Sequence, residues 1–583
     1  MALAASETAE LIARARAWLA EDPDPETRAE LAALLDAVDP ADVEDAAGSA
    51  PLAELADRFG GTLQFGTAGL RGELGAGPMR MNRAVVIRAA AGLAAYLRGQ
   101  GRDGGLVVIG YDARHKSADF ARDTAAVITG AGLRATLLPR PLPTPVLAFA
   151  VRHLGAVAGV TVTASHNPPR DNGYKVCLGD GSQIVPPADG GIAAEIAAIG
   201  RLADVPRPDT GWETLGEEVV EAYLARTGAV LTDGGPRDVR VVYTPLHGVG
   251  RDVLVAAFAR AGFPEPVVVP EQAEPDPDFP TVAFPNPEEP GAMDLAFAAA
   301  GSARPDLAAG SARPDLVIAN DPDADRCAVA VPDAAAASGW RMLRGDEVGA
   351  LLATHLVHQR ARGTFATTIV SSSLLSRIAE AAGAEVSYDE TLTGFKWLAR
   401  VDGLRYAYEE ALGYCVDPAG VRDKDGITAA LLVAELAAEL KASGRSVAEL
   451  LDDLAVEYGL HATDQLSVRV SDLSVIAEAM RRLRTGAPAA LAGLAVVTAE
   501  DLAKGTDRLP ATDGLRYALA GDAERGVAGA RVIVRPSGTE PKLKCYLEVV
   551  VPVAGRDAVE GARGVAGVVL EELKRDLAGV AGL

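Results

Sequence analysis

A hydroxyl beside an imidazole and a trio of alternating carboxylates are the residues in this chain best suited to chemistry. Ser165 and His166 stand in TVTASHNPPRDNGYKV, residues 161–176, with Asp171, Asn172, Gly173 and Lys175 crowded behind them. A hydrolase serine on a nucleophile elbow sits in G-x-S-x-G. Here the residues two positions away are Thr163 and Asn167, which excludes that arrangement. On local grounds two readings stay open: a serine that carries phosphate, or a turn residue whose hydroxyl caps the Asn-Pro turn.

The carboxylates lie in VIANDPDADRCAVAV, where Asp321, Asp323 and Asp325 alternate between two apolar, strand-like runs. Carboxylates at i, i+2 and i+4 in a tight loop can converge on one hard cation. An EF-hand would need glycine at the sixth position and glutamate at the twelfth, and these are Arg326 and Pro332. A magnesium site with positions open to a substrate phosphate is the better expectation, against the common alternative of an acidic surface turn.

Three further stretches offer contacts for anions or hydroxyls. VIVRPSGTEPKLKCYLE places Arg535, Ser537, Gly538, Thr539, Lys542 and Lys544 close together. Backbone N–H groups, two hydroxyls and a guanidinium fork make a shell for a phosphate dianion. YEEALGYC supplies Glu409 and Glu410, and VRDKDG supplies Arg422 and Lys424. Carboxylates there can accept from sugar hydroxyls, and the lysine can move a proton or hold phosphate. FGTAGLRGELGAGPMRMN, residues 65–82, is a glycine-dense loop with Arg71 and Arg80. Neither a P-loop nor a dinucleotide fingerprint occurs in the chain.

These motifs need elements to hold them, and the apolar pattern supplies α/β units. LVVIGYD at 106–112 leads into a helical stretch from near Ser117 and then to AVAGVTVTAS, a strand–helix–strand rhythm. The cycle restarts at RVVYTPLHGVG (240–250), running to PDLVIAND, and again at ATTIVSSSLLSRIAEAAG (366–383). The last hundred or so residues change to DQLSVRV, ARVIVRPSGTE and KLKCYLEVVVPV strands with alanine-rich helices. The expected fold class is α/β: three related α/β domains with mixed sheets plus a C-terminal α+β domain around a central cleft. Expected boundaries are 1–212, 213–343, 344–460 and 461–583, with joints near 205–212, 232–238 and 456–464. GSARPDL at 301–307 returns at 310–316, too few copies for a solenoid.

Composition bounds the partners. Fifty-six basic and 80 acidic side chains give a formal charge of −24, which disfavours nucleic acid and anionic membrane. Positive charge for a phosphorylated ligand must therefore be local. The N-terminus carries Glu7 and Glu10 at helical spacing, unlike a secretory signal, and ITAALLVAELAAEL from Ile427 is broken by Glu435 and Glu439. A cytoplasmic protein, monomer or dimer, is expected. Cysteines 177, 327, 415 and 545 each follow a polar motif in an apolar context, and read as reduced packing residues.

TASHNP, D-x-D-x-D-R, a GEES-like YEEA and RPSGTEP, in this order, resemble the α-D-phosphohexomutase superfamily over nearly the whole chain. FGTAGLRG, TPLHGVG, TLTGFKW and DKDG look most like its branch with bacterial phosphoglucomutases and phosphomannomutases and mammalian phosphopentomutase. The resemblance implies a phosphoserine at Ser165, and magnesium held by Asp321, Asp323, Asp325 and that phosphoserine. It places Arg71, His166, Lys175 and Arg326 around the transferring group, with His166 and Lys424 as acid and base. Thr393, Gly394 and Glu409 would read sugar hydroxyls, and Arg535, Ser537, Gly538, Thr539 and Lys544 would grip the distal phosphate. The implied reaction moves phosphate between C1 and C6 of glucose or mannose through a sugar 1,6-bisphosphate, which also acts as activator. Phosphopentomutase, a silent sugar-phosphate-binding protein and an aspartate-based phosphatase are the rivals. Ala411 departs from the resembling pattern, where many members have serine, and so opens the choice of sugar.

Overall fold

A computed structural model describes residues 5–38, 49–64, 69–301, 313–470, 472–537 and 542–582. Gly538, Thr539 and most of the GSARPDL duplication lie outside the described residues.

Three helices, Ala5–Glu21, Pro25–Asp36 and Ala50–Phe59, open the chain and share a small core of Leu11, Leu31, Leu52, Leu55 and Phe59. Asp24 starts the second by accepting from Glu26 N, with Pro25 in the first turn.

The first sheet has six strands in the order Leu70–Glu73, Asp171–Leu178, Ala158–Val162, Leu106–Tyr111, Arg134–Leu137 and Glu213–Thr214. Its central strands are apolar on both faces because helices cover both. Val107, Ile109, Val160 and Val162 pack with helix Arg83–Gly99, while Val108 faces helix Thr144–His153, the alternation that a period of two dictates. Each such side chain, fully buried, contributes about 1.5–3 kcal/mol.

The second sheet runs Trp340–Met342, Ala328–Pro332, Leu316–Ala319, Val241–Thr244, Val267–Val268, and the third Val386–Thr391, Gly363–Thr368, Leu404–Glu409, Gly413–Cys415. In all three sheets the core pairs are parallel and an antiparallel hairpin leaves the central region, extended in the first two by a further antiparallel strand. The fourth sheet, six strands from Leu460–Arg469 to Ala490–Leu491, is antiparallel throughout and carries helices Leu473–Thr485 and Val559–Ala581. This is the expected α/β class with an α+β end.

The hairpins give the repeated logic of the molecule. Strand Ala158–Val162 returns as Asp171–Leu178, Leu316–Ala319 as Ala328–Pro332, Leu404–Glu409 as Gly413–Cys415, and Gly529–Pro536 as Lys542–Val551. The serine, aspartate and Glu410 motifs lie at the ends between two such strands, while the fourth motif places Arg535 on one strand and Lys542 and Lys544 on its return. The four cysteines now have a reason: each lies on, or one residue before, a returning strand, and all four are buried and unpaired.

Helix Gly426–Ala442 is buried on nearly every side, as its apolar composition requires. Its Glu435 is answered by Arg237 at 3.0 Å and His355 at 3.0 Å. No helix among the described residues is long and apolar enough to cross a membrane. At the expected joint near 456–464, helix Val447–Tyr458 gives way at Gly459, φ +89°, directly to strand Leu460–Arg469. The one residue between helix and strand is a glycine, the residue that adopts a positive φ at least cost.

Candidate active site

Two hairpin tips meet at hydrogen-bond distance. Three residues past strand Ala158–Val162, Ser165 adopts a left-handed φ of +53°, and its N–H donates to Thr163 Oγ1 at 2.8 Å. That turn delivers Ser165 Oγ to Asp321 Oδ2, to which it donates at 2.6 Å, and to His166 Nδ1 at 3.1 Å. The serine is 3% exposed.

Asp321, Asp323 and Asp325 are buried, and one oxygen from each lies within 4.8 Å of the others. Ala324, φ +51°, folds the tip so that alternate side chains converge instead of splaying. Lys175 Nζ sits 2.7 Å from Asp323 and 3.1 Å from Asp325, Lys424 Nζ 3.2 Å from Asp325, and Thr144 Oγ1 donates to Asp323 at 2.7 Å. Asp323 Oδ1 and Asp325 Oδ1 are nonetheless buried with no hydrogen-bond partner. Orphaned, hard, anionic oxygens converging beside a serine fit a divalent cation with open positions.

The electrostatics agree with that geometry. Burial first, then the like charges of Asp323 and Asp325, pushes Asp321 well above the carboxylate range. Burial would also raise Asp325, but Lys175, Lys424 and Arg326 overrule it and hold that carboxyl far below its usual value. Burial, with Arg326 and Arg71 nearby, keeps His166 well below the ordinary imidazole value, so the ring is neutral near pH 7. Lys424 is raised despite burial, because Asp325, Asp423 and Glu409 surround it. It is an ammonium here, a proton donor and not an acceptor.

Arg71 lies on the strand paired with Asp171–Leu178 and donates to Asn167 Oδ1 at 2.9 Å. Arg326 has no hydrogen-bond partner at Nε, and its nearest carboxylates are Glu288 at 3.9 Å and Asp321 at 4.0 Å. The cation faces a cleft of 580 Å³ walled by residues from the units of the first three sheets and by two strands of the fourth. Opposite stand Arg344, Arg469, Lys542 and Lys544, the local positive charge that a chain of −24 needs to hold a phosphate.

The other expected residues are placed as follows. Lys544 lines the cleft, and Arg535 pairs with it across the hairpin that Ser537 N closes onto Lys542 O at 2.8 Å. Glu410 and Ala411 line the cleft; Glu409 points instead toward Lys424 and Arg326, and burial lifts its carboxyl to about 7. Gly413 must be glycine, since a Cβ there would lie 2.2 Å from Lys424 Cδ. Thr393 and Gly394 begin the turn Phe395–Leu398 and do not line the cleft, Gly394 having φ +105°.

Several neighbours escaped the sequence reading. Thr144 and Glu288 carried no motif signal. Arg114, in YDARHKS at the end of strand Leu106–Tyr111, had only its place at a strand's C-terminal end. Arg469 closes strand Leu460–Arg469, within the expected DQLSVRV run, where a lone cation amid alternating residues was the available hint.

Comparison with known families decides the class. The alpha/beta/alpha domains I, II and III of phosphoglucomutase/phosphomannomutase match residues 62–202, 221–334 and 344–458, and the C-terminal domain matches 480–560. The chain belongs to this family. A Haemophilus influenzae protein named "Probable phosphomannomutase" is 47% identical over 84% of the chain and 96% of that protein. The human protein named phosphopentomutase is 35% identical over 86% of the chain and 87% of its own length. The open form of parafusin, a Paramecium phosphoglucomutase, superposes with a TM-score of 0.64 at 17% identity, covering 89% and 96% of the two chains, a likeness of fold. Members of the phosphoglucomutase/phosphomannomutase family thus differ in the sugar their names carry, while the four-sheet frame persists.

Proposed function

We propose that this chain is a magnesium-dependent phosphosugar mutase that moves phosphate between C1 and C6 of glucose or mannose phosphates. It would work through a phosphoserine at Ser165 and a sugar 1,6-bisphosphate. The observation carrying this reading is the 2.6 Å contact between Ser165 Oγ and Asp321 Oδ2, with a carboxylate trio on one side and a cation-lined cleft on the other.

In this reading Ser165 holds the phosphoryl group. A sugar hydroxyl attacks the phosphorus, the Ser165 Oγ–P bond breaks, and the bisphosphate forms. The sugar then turns over, and its other phosphate returns to Ser165. Magnesium held by Asp321, Asp323 and Asp325 would offset negative charge on the phosphoryl oxygens. Arg71, Lys175 and Arg326 would add positive charge around the group in flight. His166, neutral and 3.1 Å from the serine oxygen, suits accepting a proton; Lys424 suits donating one. Arg535, Ser537, Gly538, Thr539 and Lys544 would hold the distal phosphate.

Phosphopentomutase is the second reading, supported by Ala411, which leaves a methyl where a hydroxyl would contact the sugar, and by the 35% identity to the human phosphopentomutase. Steady-state assays on glucose 1-phosphate, mannose 1-phosphate and ribose 1-phosphate separate the two. Intact-mass detection of one phosphoryl group on Ser165 tests the shared mechanism. Release of inorganic phosphate in place of isomerised sugar would instead favour the phosphatase.

A further inference from the structure

Arg114 is the least explained charge near Ser165. It is 4% exposed, lines no part of the cleft, and sits two residues after Asp112, which accepts from Arg114 N at 3.0 Å. Its guanidinium grips four backbone carbonyls of the serine loop. Nη2 donates to Ser165 O at 2.7 Å and Asn167 O at 2.5 Å; Nη1 donates to Pro168 O at 2.7 Å and Asp171 O at 3.1 Å. Burial lowers its basicity, but Asp112 and Asp323 oppose that and keep the guanidinium charged.

The far face of the same guanidinium belongs to the second sheet's unit. Phe279, 2% exposed, lies under Arg114 with 4.8 Å from Cζ to the ring centroid. Backbone bonds tie that ring to the aspartate loop: Phe279 N to Asp276 O, Asp276 N to His247 O, and Val249 N to Pro322 O at 2.8 Å. Gly248 packs so closely on Pro322 that a Cβ would lie 2.3 Å from its Cα. A second route therefore connects the serine and aspartate loops, separate from the direct Ser165–Asp321 bond.

We infer that Arg114, backed by Phe279, is a positioning residue that holds Ser165 in its left-handed conformation and so aims the phosphoryl carrier at the metal loop. A non-glycine residue at φ +53° costs on the order of 1–3 kcal/mol and persists only where its surroundings over-determine it. Four charge-assisted hydrogen bonds from one planar fork do so; a lysine ammonium, with one nitrogen, cannot span the same carbonyls. Because Arg114 does not line the cleft, its effect falls on turnover and not on sugar-phosphate binding.

The inference rests on the phosphoserine reading, and the test separates the two. Full-length wild type, Arg114→Lys and Phe279→Leu are incubated with glucose 1,6-bisphosphate, and Ser165 phosphorylation is followed by intact mass alongside kcat, KM and the unfolding midpoint. A misplacement of about 1 Å costs about 100-fold, so Arg114→Lys should load slowly and lose about 100-fold in kcat with KM nearly unchanged. Phe279→Leu should lose about threefold in kcat, again at constant KM, because leucine keeps the buried apolar contact and removes only the cation–π attraction. If wild type never acquires a phosphoryl group, the phosphoserine reading falls and takes this inference with it. If wild type loads and a folded Arg114→Lys loads and turns over equally fast, or raises KM alone, only the inference is overturned. Should Arg114→Lys not fold, unchanged kcat in Phe279→Leu overturns it.

Discussion

The serine and aspartate loops touch one another, whereas the fourth hairpin faces them across an open cleft. On the first side the contacts of Ser165 with Asp321, of Thr144 and Lys175 with Asp323, and of Lys175 and Lys424 with Asp325 run from 2.6 to 3.2 Å between buried residues. On the other, Lys544 lines a 580 Å³ space, and the hairpin is anchored from behind. Arg531 pairs with Glu548 at 3.0 Å, and Glu548 in turn accepts from Ser372 Oγ at 2.7 Å and Ser373 N at 2.8 Å. The first side is preorganised by its own opposite charges. The second is placed by the joint between two sheets, with its cations lining the space between the two sides.

If that division is right, damage to the first side should strike turnover and damage to the second should strike binding. The largest effect is expected from Ser165→Ala, which should lower kcat by about 10⁴-fold or more, as removal of a group acting within a unit does. Steady-state isomerisation assays check it, and full activity in the variant would break the comparison at its root. Removing divalent metal with EDTA should likewise stop turnover and leave the fold intact by circular dichroism; indifference would count against the aspartate loop as a metal site.

Next comes Lys175→Met. It removes one cationic partner from two buried carboxylates, leaving Asp323 with Thr144 and Asp325 with Lys424, and should cost about 3 kcal/mol in denaturant unfolding without added metal. Added magnesium should restore part of that loss, because the same oxygens can be neutralised by the cation. No recovery would mean that Lys175, and not a metal, is the counter-ion this loop requires. On the opposite side, Lys544→Ala should raise KM for the sugar phosphate about tenfold with a smaller change in kcat, the value of one charge-assisted hydrogen bond. A fall in kcat at constant KM would place Lys544 with the chemistry instead.

Much of the first side was legible in the residue order, since Asp321, Asp323 and Asp325 are neighbours and Ser165 announces itself by a turn at a strand end. What joins them was not. Thr144 meets Asp323 across 179 positions and Arg114 meets Ser165 across 51, and no local pattern encodes either distance. The sheets were legible because their apolar runs have a period of two, while at the expected joint near 456–464 a single glycine, Gly459, is all that separates helix from strand. Glu409 and Glu410 show the limit most sharply. Their order is plain, but only the pairing of Glu409 with Gly413 decides which carboxylate faces Lys424 and which lines the cleft.

The smallest effect concerns the joint itself. Asp346, at the start of helix Gly345–His358, is buried beside the cleft and accepts from Ser372 N at 2.7 Å and Tyr408 Oη at 3.1 Å. Burial lifts its carboxyl to about 7, with Glu410 and Glu548 adding to the rise and the Ser372 N–H opposing it. A carboxyl raised above its unfolded value of about 3.9 binds a proton more readily in the folded state, so its contribution is present at low pH and is lost as pH climbs through about 7. Asp346→Asn keeps both accepted hydrogen bonds and cannot ionise. Relative to wild type it should gain on the order of 1 kcal/mol at about pH 8 and nothing at about pH 4, a figure held down because cleft water reaches the site. Urea unfolding at both pH values measures it. A gain that is equal at both, or largest in acid, would show that the joint tolerates this charge, and that the second side is as well neutralised as the first.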